Sequence, residues 1–475
     1  MRAETDTFEA PCQETSQESD AGTFLCYTLI LRNNDSEVLL SLHRDERYSL
    51  PAIEIPRSQR IPPHLVPEVQ RRWNVDAICR FSFADENFKL GPRYVVLDAS
   101  DSSNPLSNEA RWVSVDDISW SDSESVVARN GFYATLRQAN SYKSAPSSPP
   151  FTQPDWFRVV TDWVQSGLEV NGMKLSGRWD QYNMGPSFSL ICYETNGAPV
   201  WFKAVGEPNL REYSITAELT RLRSHYVPQL LASHHGWHGW LMLDVEGQHL
   251  DETADIEHWK TAVRSLAQLQ IESIHACKSL LAAGCEDLRA QQLRSRIEPF
   301  VSIVAQLMEI QPTTPPRILD RRDLLFVEAS LQRAIGELEL LGIPDTIGHS
   351  DLNSGNVLVN EDRAVFLDWI PSHIGQPLIT FEYLLALLGR FRPDNECWKA
   401  ELRNVYCQTW KSISLDDQML KALKVTPMIA PFVFAVSCPG WNDEVRSLSP
   451  VLKKLMRTLA RRIFVEAQSF VNSTR

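Results

Sequence analysis

Two short apolar runs, 27–31 and 38–42, stand on either side of a polar segment rich in Asn and Asp, 33–36. Runs of this length around such a segment predict a β-hairpin, because Asn and Asp favour tight turns. Residues 1–21, before the hairpin, are rich in Glu, Ser and Thr and hold little apolar surface to offset the entropy of ordering them. We therefore expect a disordered tail followed by a folded block.

The pattern then changes to helical spacing. Apolar residues recur every four positions within 63–73, which predicts a short helix with one buried face. An apolar run at 94–97 predicts a strand, and 110–118 predicts a strand that leads into the start of a helix. Together these elements predict a mixed, α+β block over residues 22–140.

A break follows at 141–154, where four prolines and four serines predict a linker without an element of its own. Beyond it, the runs 187–193 and 200–205 flank an Asn-Gly pair, which is a strong hairpin signal because both residues accept positive φ. A similar hairpin is predicted from 357–359 and 365–367, which flank a polar turn.

Composition excludes several classes of protein. The chain has 475 residues, enough for two or three domains, and its 43% hydrophobic and 23% charged residues are ordinary for globular proteins. A net charge of −13 argues against a general nucleic-acid-binding protein. The nine cysteines include no closely spaced pair, and there is neither a signal sequence nor an apolar run of membrane-spanning length. We expect reduced thiols, a cytoplasmic location, and no nucleic-acid or membrane partner.

The strongest chemical signal surrounds the second predicted hairpin. Asp351 and Asn356 stand just before its first strand, and Asp368 follows its second, so the three side chains are expected to converge at one rim. Phosphoryl transfer requires a carboxylate that orients the attacking hydroxyl, and metal ions that neutralise phosphate charge. One Asp for the hydroxyl, with one Asn and one Asp for the metal, meets that demand.

These residues closely resemble the catalytic loop of the aminoglycoside phosphotransferase and choline kinase-like family, a branch of the protein-kinase fold. Asn356 follows Asp351 by five residues and Asp368 follows Asn356 by twelve, as in that family, although Ser350 replaces a usual glycine. The resemblance implies that Asp351 is the catalytic carboxylate and that Asn356 and Asp368 bind Mg²⁺. It also implies that His349, counted with Asp351 among the catalytic residues, stabilises the loop. It covers about 175–390.

The same resemblance implies a nucleotide-binding lobe upstream. Lys203 lies in an otherwise apolar predicted strand, and in this fold such a lysine contacts the α- and β-phosphates and pairs with a helix glutamate. We predict Glu218 as the partner of Lys203. Glu212 is the rival, but it lies nearer the start of the helix, where it would favour the helix dipole.

Further nucleotide contacts are predicted from two segments. Gly185, Ser187 and Ser189 are the candidates for a phosphate-binding loop, although that loop has one glycine, followed by a proline that removes a backbone donor. Asp244 and Glu246 lie where the family has the hinge that contacts adenine. The cofactors implied are ATP, or alternatively GTP, with Mg²⁺.

The N-terminal block resembles a Nudix hydrolase domain in its order of elements. That family binds Mg²⁺ through paired glutamates on a helix, but here only Glu68 matches, and Arg71 and Arg72 stand where the paired glutamates are expected. We therefore predict a Nudix-like fold without hydrolase activity. Whether the two arginines bind an anion or form a solvated face is left open, with the solvated face favoured.

The resemblance implies that the later part of the chain, 376–475, holds the acceptor. Its carboxylates, including Glu382, are scattered, and we expect them to lie on solvated surface. A last helix near 450–470 is predicted to pack by its apolar face with its basic side outward.

The fold class predicted is α+β: a Nudix-like α/β/α domain (22–140), then a two-lobed protein-kinase-like domain, with a small lobe at 155–250 and a large lobe at 251–475. The predicted function is ATP-dependent phosphorylation of a hydroxyl on a small molecule. The alternatives are a catalytically weak or inactive nucleotide-binding pseudokinase with a regulatory Nudix-like domain and, third, a diphosphate hydrolase in the N-terminal block. The sequence does not specify the acceptor, the choice between ATP and GTP, or whether the phosphate loop supports turnover. It also does not specify the ligand of the N-terminal domain or the oligomeric state.

Overall fold

The structure is a computed structural model that describes residues 24–33, 37–42, 48–57, 59–84, 93–101, 105–118, 126–144, 148–153, 155–222, 225–395 and 397–473. The predicted tail and most of the turn at 33–36 lie outside these ranges. The chain divides into two compact units. The first contains the described residues up to Tyr213 together with Gln229–Asp244, and the second contains Ser214–Pro228 and the described residues from Val245 onward.

Seven strands of the N-terminal block form one sheet. They are β1 (Phe24–Arg32), β2 (Val38–Leu42), β3 (Tyr48–Ser49), β4 (Ala52–Pro56), β5 (Asp76–Ala84), β6 (Arg93–Asp101) and β7 (Ala110–Val113). The sheet order is β3-β2-β1-β6-β5, with β4 also paired to β1 and β7 to β2. The predicted hairpin of β1 and β2 is confirmed, and β1 also runs parallel to β6.

Two helices cover opposite faces of this sheet. Helix α1 (Ile61–Trp73) buries Leu65, Val69 and Trp73 in one cluster with residues of β1, β5 and β6. Helix α2 (Val126–Ser144) buries Phe132 in a second cluster on the other face. Alternate strand residues point to opposite faces, so each helix packs on its own set of apolar side chains. The block is therefore an α/β/α sandwich.

The serine- and proline-rich segment is more structured than predicted. Helix α2 extends through Ser144, and a 3₁₀ turn spans Pro150–Thr152. Phe151 is buried, with its ring 6.2 Å from that of Trp156. The prediction of a linker without elements is wrong for these residues, because the single aromatic residue among the prolines supplies apolar surface that packs.

The first unit also contains a five-stranded sheet in the order β11-β12-β10-β9-β8. Its strands are β8 (Leu175–Asn183), β9 (Phe188–Thr195), β10 (Val200–Val205), β11 (Leu230–His234) and β12 (Gly239–Leu243). Helix α3 (Trp156–Glu169) precedes them in the chain. Helix α4 (Arg211–Arg221) crosses the boundary between the units. The antiparallel pair β9 and β10 confirms the Asn-Gly hairpin.

The second unit is mainly helical, with two small sheets. Its strands are β13 (Gln248–His249), β14 (Glu286–Asp287), β15 (Thr346–His349), β16 (Val357–Val359), β17 (Ala364–Phe366) and β18 (Ser372–Gly375). One sheet has the order β13-β16-β17 and the other β14-β18-β15. The antiparallel pair β16 and β17 confirms the second predicted hairpin.

Eight helices of the second unit surround a large apolar core. They are α5 (Ile256–Ser273), α6 (Cys277–Ala283), α7 (Ala290–Glu309), α8 (Arg321–Leu341), α9 (Pro377–Phe391), α10 (Trp398–Trp410), α11 (Asp416–Ser437) and α12 (Pro450–Ser473). Among the described residues, α11 alone has the length and composition of a membrane span, and 78% of its most apolar window is buried. Helix α12 confirms the predicted last helix and buries Met456, Leu459 and Ile463 in the same core.

Candidate functional site

The catalytic-loop candidates lie between the two small sheets of the second unit. Strand β15 ends at His349, the loop follows, and β16 and β17 form the hairpin beyond it. Asp368 stands two residues after the end of β17. The hairpin returns the chain to the loop, and Leu367 N–H donates to the Asn356 carbonyl at 2.9 Å. This backbone contact places the residue before Asp368 beside Asn356, and the convergence of the three side chains stays a prediction.

His349 holds the loop at two points. Its ring is buried, its Nδ1 accepts from the Asp351 N–H at 3.2 Å, and its Nε2 lies 3.0 Å from the Leu367 carbonyl. An accepting Nδ1 means that Nε2 carries the proton, so the neutral tautomer donates to Leu367. Burial lowers the pKa of His349, against the raising effect of that carbonyl and of Asp351. The neutral ring therefore joins the catalytic loop to the end of the hairpin.

Asp351 is oriented by two asparagines. Asn356 Nδ2 donates to the backbone carbonyl of Asp351 at 2.9 Å, and Asn353 Nδ2 donates to Asp351 Oδ1 at 3.2 Å. The Asp351 side chain is partly exposed. A fixed, partly exposed carboxylate suits the role of orienting an acceptor hydroxyl.

Asp368 adopts a left-handed backbone conformation, with φ of 59°. Residues with a Cβ rarely adopt this conformation, which costs on the order of 1–3 kcal/mol and tends to occur at functional sites. The neighbouring Trp369 is buried and donates from Nε1 to the Phe366 carbonyl at 3.0 Å. The chain thus holds an aspartate in a strained position between well-fixed neighbours.

These residues fit a magnesium ion by their chemistry. Mg²⁺ takes oxygen ligands, and Asn356 commits its amide nitrogen to the Asp351 carbonyl, which leaves its oxygen as the ligand atom. The Asp368 carboxylate would complete the protein's contribution. No cluster of three or more His, Cys, Asp and Glu side chains suited to a metal occurs among the described residues. When bound, the metal would neutralise phosphate charge.

Ser350, at the position where the resembled family usually has glycine, has a partner that the sequence did not indicate. Its Oγ lies 2.9 Å from Nδ1 of the fully buried His373 on β18. A Cβ at Gly348 would overlap the His373 ring, so the ring packs directly on the β15 backbone. Burial and the neighbouring His349 lower the pKa of His373 to about 3, so it remains neutral. The serine is thus part of the packing beneath the loop.

In the first unit, Lys203 pairs with Glu212 and not with Glu218. Lys203 Nζ lies 2.5 Å from Glu212 Oε1, and the side chains are only 10% and 3% exposed. Glu218 pairs instead with Arg221, one turn along α4, at 2.8 Å. The prediction of Glu218 is therefore wrong. Glu212, on the first turn of α4, points into the interior beside β10, whereas Glu218 lies on a partly exposed face.

The predicted phosphate loop forms backbone hydrogen bonds with other residues of the first unit. Gly185 adopts φ of 112°, and its N–H donates to the Arg80 carbonyl of β5 at 2.8 Å. The Ser187 carbonyl accepts from Gly206 N–H at 2.8 Å, and Ser189 is buried within β9. A phosphate cradle needs backbone N–H groups that point at the ligand. The single glycine N–H of this loop is directed to the N-terminal block.

The two hinge candidates also have protein partners. Trp201 Nε1 donates to Asp244 Oδ1 at 2.7 Å, and the Asp244 N–H donates to the Pro199 carbonyl at 3.0 Å. In the second unit, the Glu246 carbonyl accepts from Asn360 Nδ2 at 3.1 Å. Their roles toward a nucleotide stay predictions.

Helix α1 contains Glu68, the one residue that matches the Nudix pattern in the sequence, and this glutamate is paired. Glu68 lies 2.5 Å from Arg71 and 2.6 Å from Arg72. The hydrogen bond from Arg71 is the largest cause that lowers the pKa of Glu68 to about 2, with burial opposing it. The carboxylate is neutralised by the arginines that replace the family's glutamates.

Part of the chain is similar in sequence to a known family. Residues 207–415 match the model of the phosphotransferase enzyme family. No curated protein matches the chain. The matched segment contains His349, Asp351, Asn356 and Asp368. It covers less than half of the chain and does not include the N-terminal block.

Several solved structures are similar to this chain at low identity. The macrolide 2′-phosphotransferase of Brachybacterium faecium is 14% identical, with a TM-score of 0.40, over 63% of this chain and 97% of that one. The ethanolamine kinase of Plasmodium vivax is 13% identical, with a TM-score of 0.43, over 70% and 96%. The choline kinase of Cryptosporidium parvum is 13% identical, with a TM-score of 0.45, over 67% and 97%.

Proposed function

We propose that this protein transfers the γ-phosphate of ATP, or of GTP, to a hydroxyl group of a small molecule, with Mg²⁺. The observation that carries the proposal is the loop in which Asn356 and His349 hold Asp351, with Asp368 at the end of the same hairpin. The family match over 207–415 supports the same chemistry. Phosphoryl transfer depends mainly on positioning and charge neutralisation, which these residues supply.

The roles follow from the contacts. Asp351 would orient the acceptor hydroxyl and accept its proton, and His349 would position the loop without contacting the substrate. Asn356 and Asp368 would bind the metal. Lys203, held by Glu212, would contact the α- and β-phosphates.

The test is Mg²⁺-dependent transfer from labelled ATP into a mixed pool of hydroxylated metabolites and aminoglycosides, analysed by mass spectrometry. Asp351→Ala and the isosteric Asp351→Asn serve as matched variants, with Mg·ATP binding measured in parallel. We expect a phosphorylated product from the parent protein and none from either variant, while nucleotide binding is retained. Full transfer by the variants would refute the assignment.

A second function is favoured by one observation: the Gly185 N–H is already bonded to the Arg80 carbonyl, and Pro186 supplies no N–H. The alternative is a nucleotide-binding module without turnover. It predicts saturable Mg·ATP binding, lost in Lys203→Met, with no product from any acceptor in the pool.

For the N-terminal block we infer a Nudix-like domain without hydrolase activity. The pairing of Glu68 with two arginines supports this, because a carboxylate so engaged is a poor Mg²⁺ ligand. Mg²⁺-dependent hydrolysis of nucleoside diphosphate compounds by the full chain, abolished in Glu68→Gln, would overturn the inference. We further propose a cytoplasmic location, supported by the scattered spacing of the cysteines, which favours reduced thiols, and tested by localising the tagged chain.

A further inference from the structure

Three charged side chains lie close together within the sheet of the N-terminal block. Arg32 of β1 is directly opposite Asp98 of the parallel strand β6. Ile78 of β5 is also opposite Asp98, and the register of β5 and β6 shifts between Cys79 and Phe81. Arg80 therefore lies in a bulge, a feature that redirects a side chain away from the regular alternation.

The charges of this cluster do not balance. Asp98 Oδ1 accepts from Arg32 Nη2 at 2.8 Å and from Arg32 Nε at 3.2 Å. Asp98 Oδ2 forms only a 3.2 Å ion pair with Arg80 Nη1. One carboxylate thus faces two guanidinium groups, which leaves a net charge of about +1 in a largely buried place.

Arg80 carries most of that imbalance. Its side chain is 2% exposed, and apart from the 3.2 Å contact of Nη1 with Asp98 its three guanidinium nitrogens have no hydrogen-bond acceptor among the described residues. Burial lowers its pKa, and Asp98 counteracts this more than Arg32 adds to it. Buried donors without partners cost free energy, so a site of this kind is stabilised when an acceptor binds.

A cavity of about 340 Å³ adjoins the cluster, within the first unit. Arg32, Arg80 and Asp98 line it from the sheet, and Trp156 of α3 lines it as well. The buried Nε1–H of Trp156 also has no acceptor among the described residues. Phe151 adds an apolar wall. This volume is in the range of small-molecule sites, which typically combine apolar walls with a few fixed polar groups.

We propose that this cavity binds a small molecule that carries a phosphate or carboxylate group, with the oxyanion held by the Arg80 guanidinium and the Trp156 indole N–H. An oxyanion supplies several acceptors, and a guanidinium offers paired donors that match it. It would balance the excess positive charge that Asp98 leaves. The aromatic walls would contact the rest of the molecule.

The occupant would also contact the predicted phosphate loop. Gly185 and Ser189 line the same cavity, and the Arg80 carbonyl holds the Gly185 N–H. Arg80 therefore joins the cavity to the loop through both its side chain and its backbone. If the protein binds nucleotide as proposed above, the anion and Mg·ATP should change each other's affinity by the same factor.

The experiment measures thermal unfolding and calorimetric binding of the whole chain in the absence of ATP and GTP. The probes are inorganic phosphate, a nucleoside monophosphate, and a panel of small mono- and dicarboxylic acids, which separates phosphate from carboxylate recognition. The variants are Arg80→Met and the charge-preserving Arg80→Lys. Arg178→Met, which removes an 81% exposed arginine of the same unit, is the control, and Lys203→Met reports on anions bound at the nucleotide site.

We expect at least one probe class to stabilise the parent protein, Arg178→Met and Lys203→Met alike. Arg80→Met should weaken that binding roughly 10- to 100-fold, because it removes hydrogen bonds to a charged group. Arg80→Lys should weaken it less, and it decides the question if Arg80→Met does not fold. If Arg80 had a purely structural role, its substitution would lower the unfolding temperature by the same amount with and without the anion.

Three results would overturn the proposal: no probe stabilises the parent protein, both Arg80 variants bind as the parent does, or binding is lost in Lys203→Met but kept in Arg80→Met. Because the anion is tested without ATP or GTP, the result can be interpreted even if the protein does not transfer phosphate. The coupling is tested separately, as an anion-dependent change in the Kd of Mg·ATP that Arg80→Met removes.

Discussion

Lys203 Nζ donates to Glu212 Oε1 at 2.5 Å, and both side chains are buried. Glu212 is therefore the residue that fixes the lysine, and Glu218, six residues later on the same helix, is not. A buried charge that loses its partner is strongly destabilising, whereas an exposed pair contributes little.

Exchange of the two glutamates for glutamine should separate their roles. Glu212→Gln should lower the free energy of unfolding by about 2–4 kcal/mol and weaken Mg·ATP binding, because it removes the buried carboxylate that pairs with Lys203. Glu218→Gln should change stability by less than about 1 kcal/mol, because Arg221 is exposed. Urea unfolding and nucleotide titration measure both. Equal effects of the two variants would contradict the pairing.

Asn356→Ala tests the metal assignment. It should raise the Mg²⁺ concentration needed for half-maximal nucleotide binding by at least about tenfold, because it removes a ligand and the hydrogen bond to the Asp351 carbonyl. Asn171→Ala, which removes an exposed amide just after α3, should leave that concentration unchanged. An unchanged magnesium requirement in Asn356→Ala would exclude Asn356 as a ligand.

A double-mutant cycle can measure the interaction energy between Ser350 and His373. Ser350→Ala should destabilise the protein by about 1–3 kcal/mol, because it leaves a buried ring nitrogen without a partner. In the background of His373→Phe the same change should cost much less, and the difference gives the interaction energy. The measurement is urea unfolding of the four proteins. An interaction energy near zero would mean that the serine acts only as a small residue.

Glu382 should make stability depend on pH. The sequence assigned it to solvated surface, but its Oε1 is buried and has no hydrogen-bond partner among the described residues. Burial raises its pKa to about 7, although Arg403 and Arg462 oppose the shift. The folded protein thus holds a proton that the unfolded chain releases near its usual pKa of 4.5, so stability falls as pH rises from about 4.5 to 7.

Glu382→Gln should remove that fall. Its stability relative to the parent should increase between pH 5 and pH 8 by on the order of 1–3 kcal/mol. Glu401→Gln, which alters a partly exposed pair with Lys260, is the control and should show little pH-dependent difference. A parallel pH profile for Glu382→Gln and the parent would show that Glu382 is ionised in the folded protein.

The loop that contains Asp351 could be predicted because its geometry is local. His349 to Asp368 lie within one hairpin and the loop before it, so their spacing along the chain determines where the side chains meet. Helix α1 was predictable for the same reason, since its buried face repeats every four residues. Contacts between distant segments left no such pattern.

The sequence by itself determined the apolar periodicities, the hairpins and the constellation of Asp351, Asn356 and Asp368, because each depends on neighbours within about twenty residues. Only the tertiary structure decided that Glu212 pairs with Lys203, that His373 supports Ser350, and that Arg80 lines a cavity with Trp156. These contacts depend on strand register, on a bulge and on the rotation of a helix about its axis. Packing of the whole unit sets those quantities.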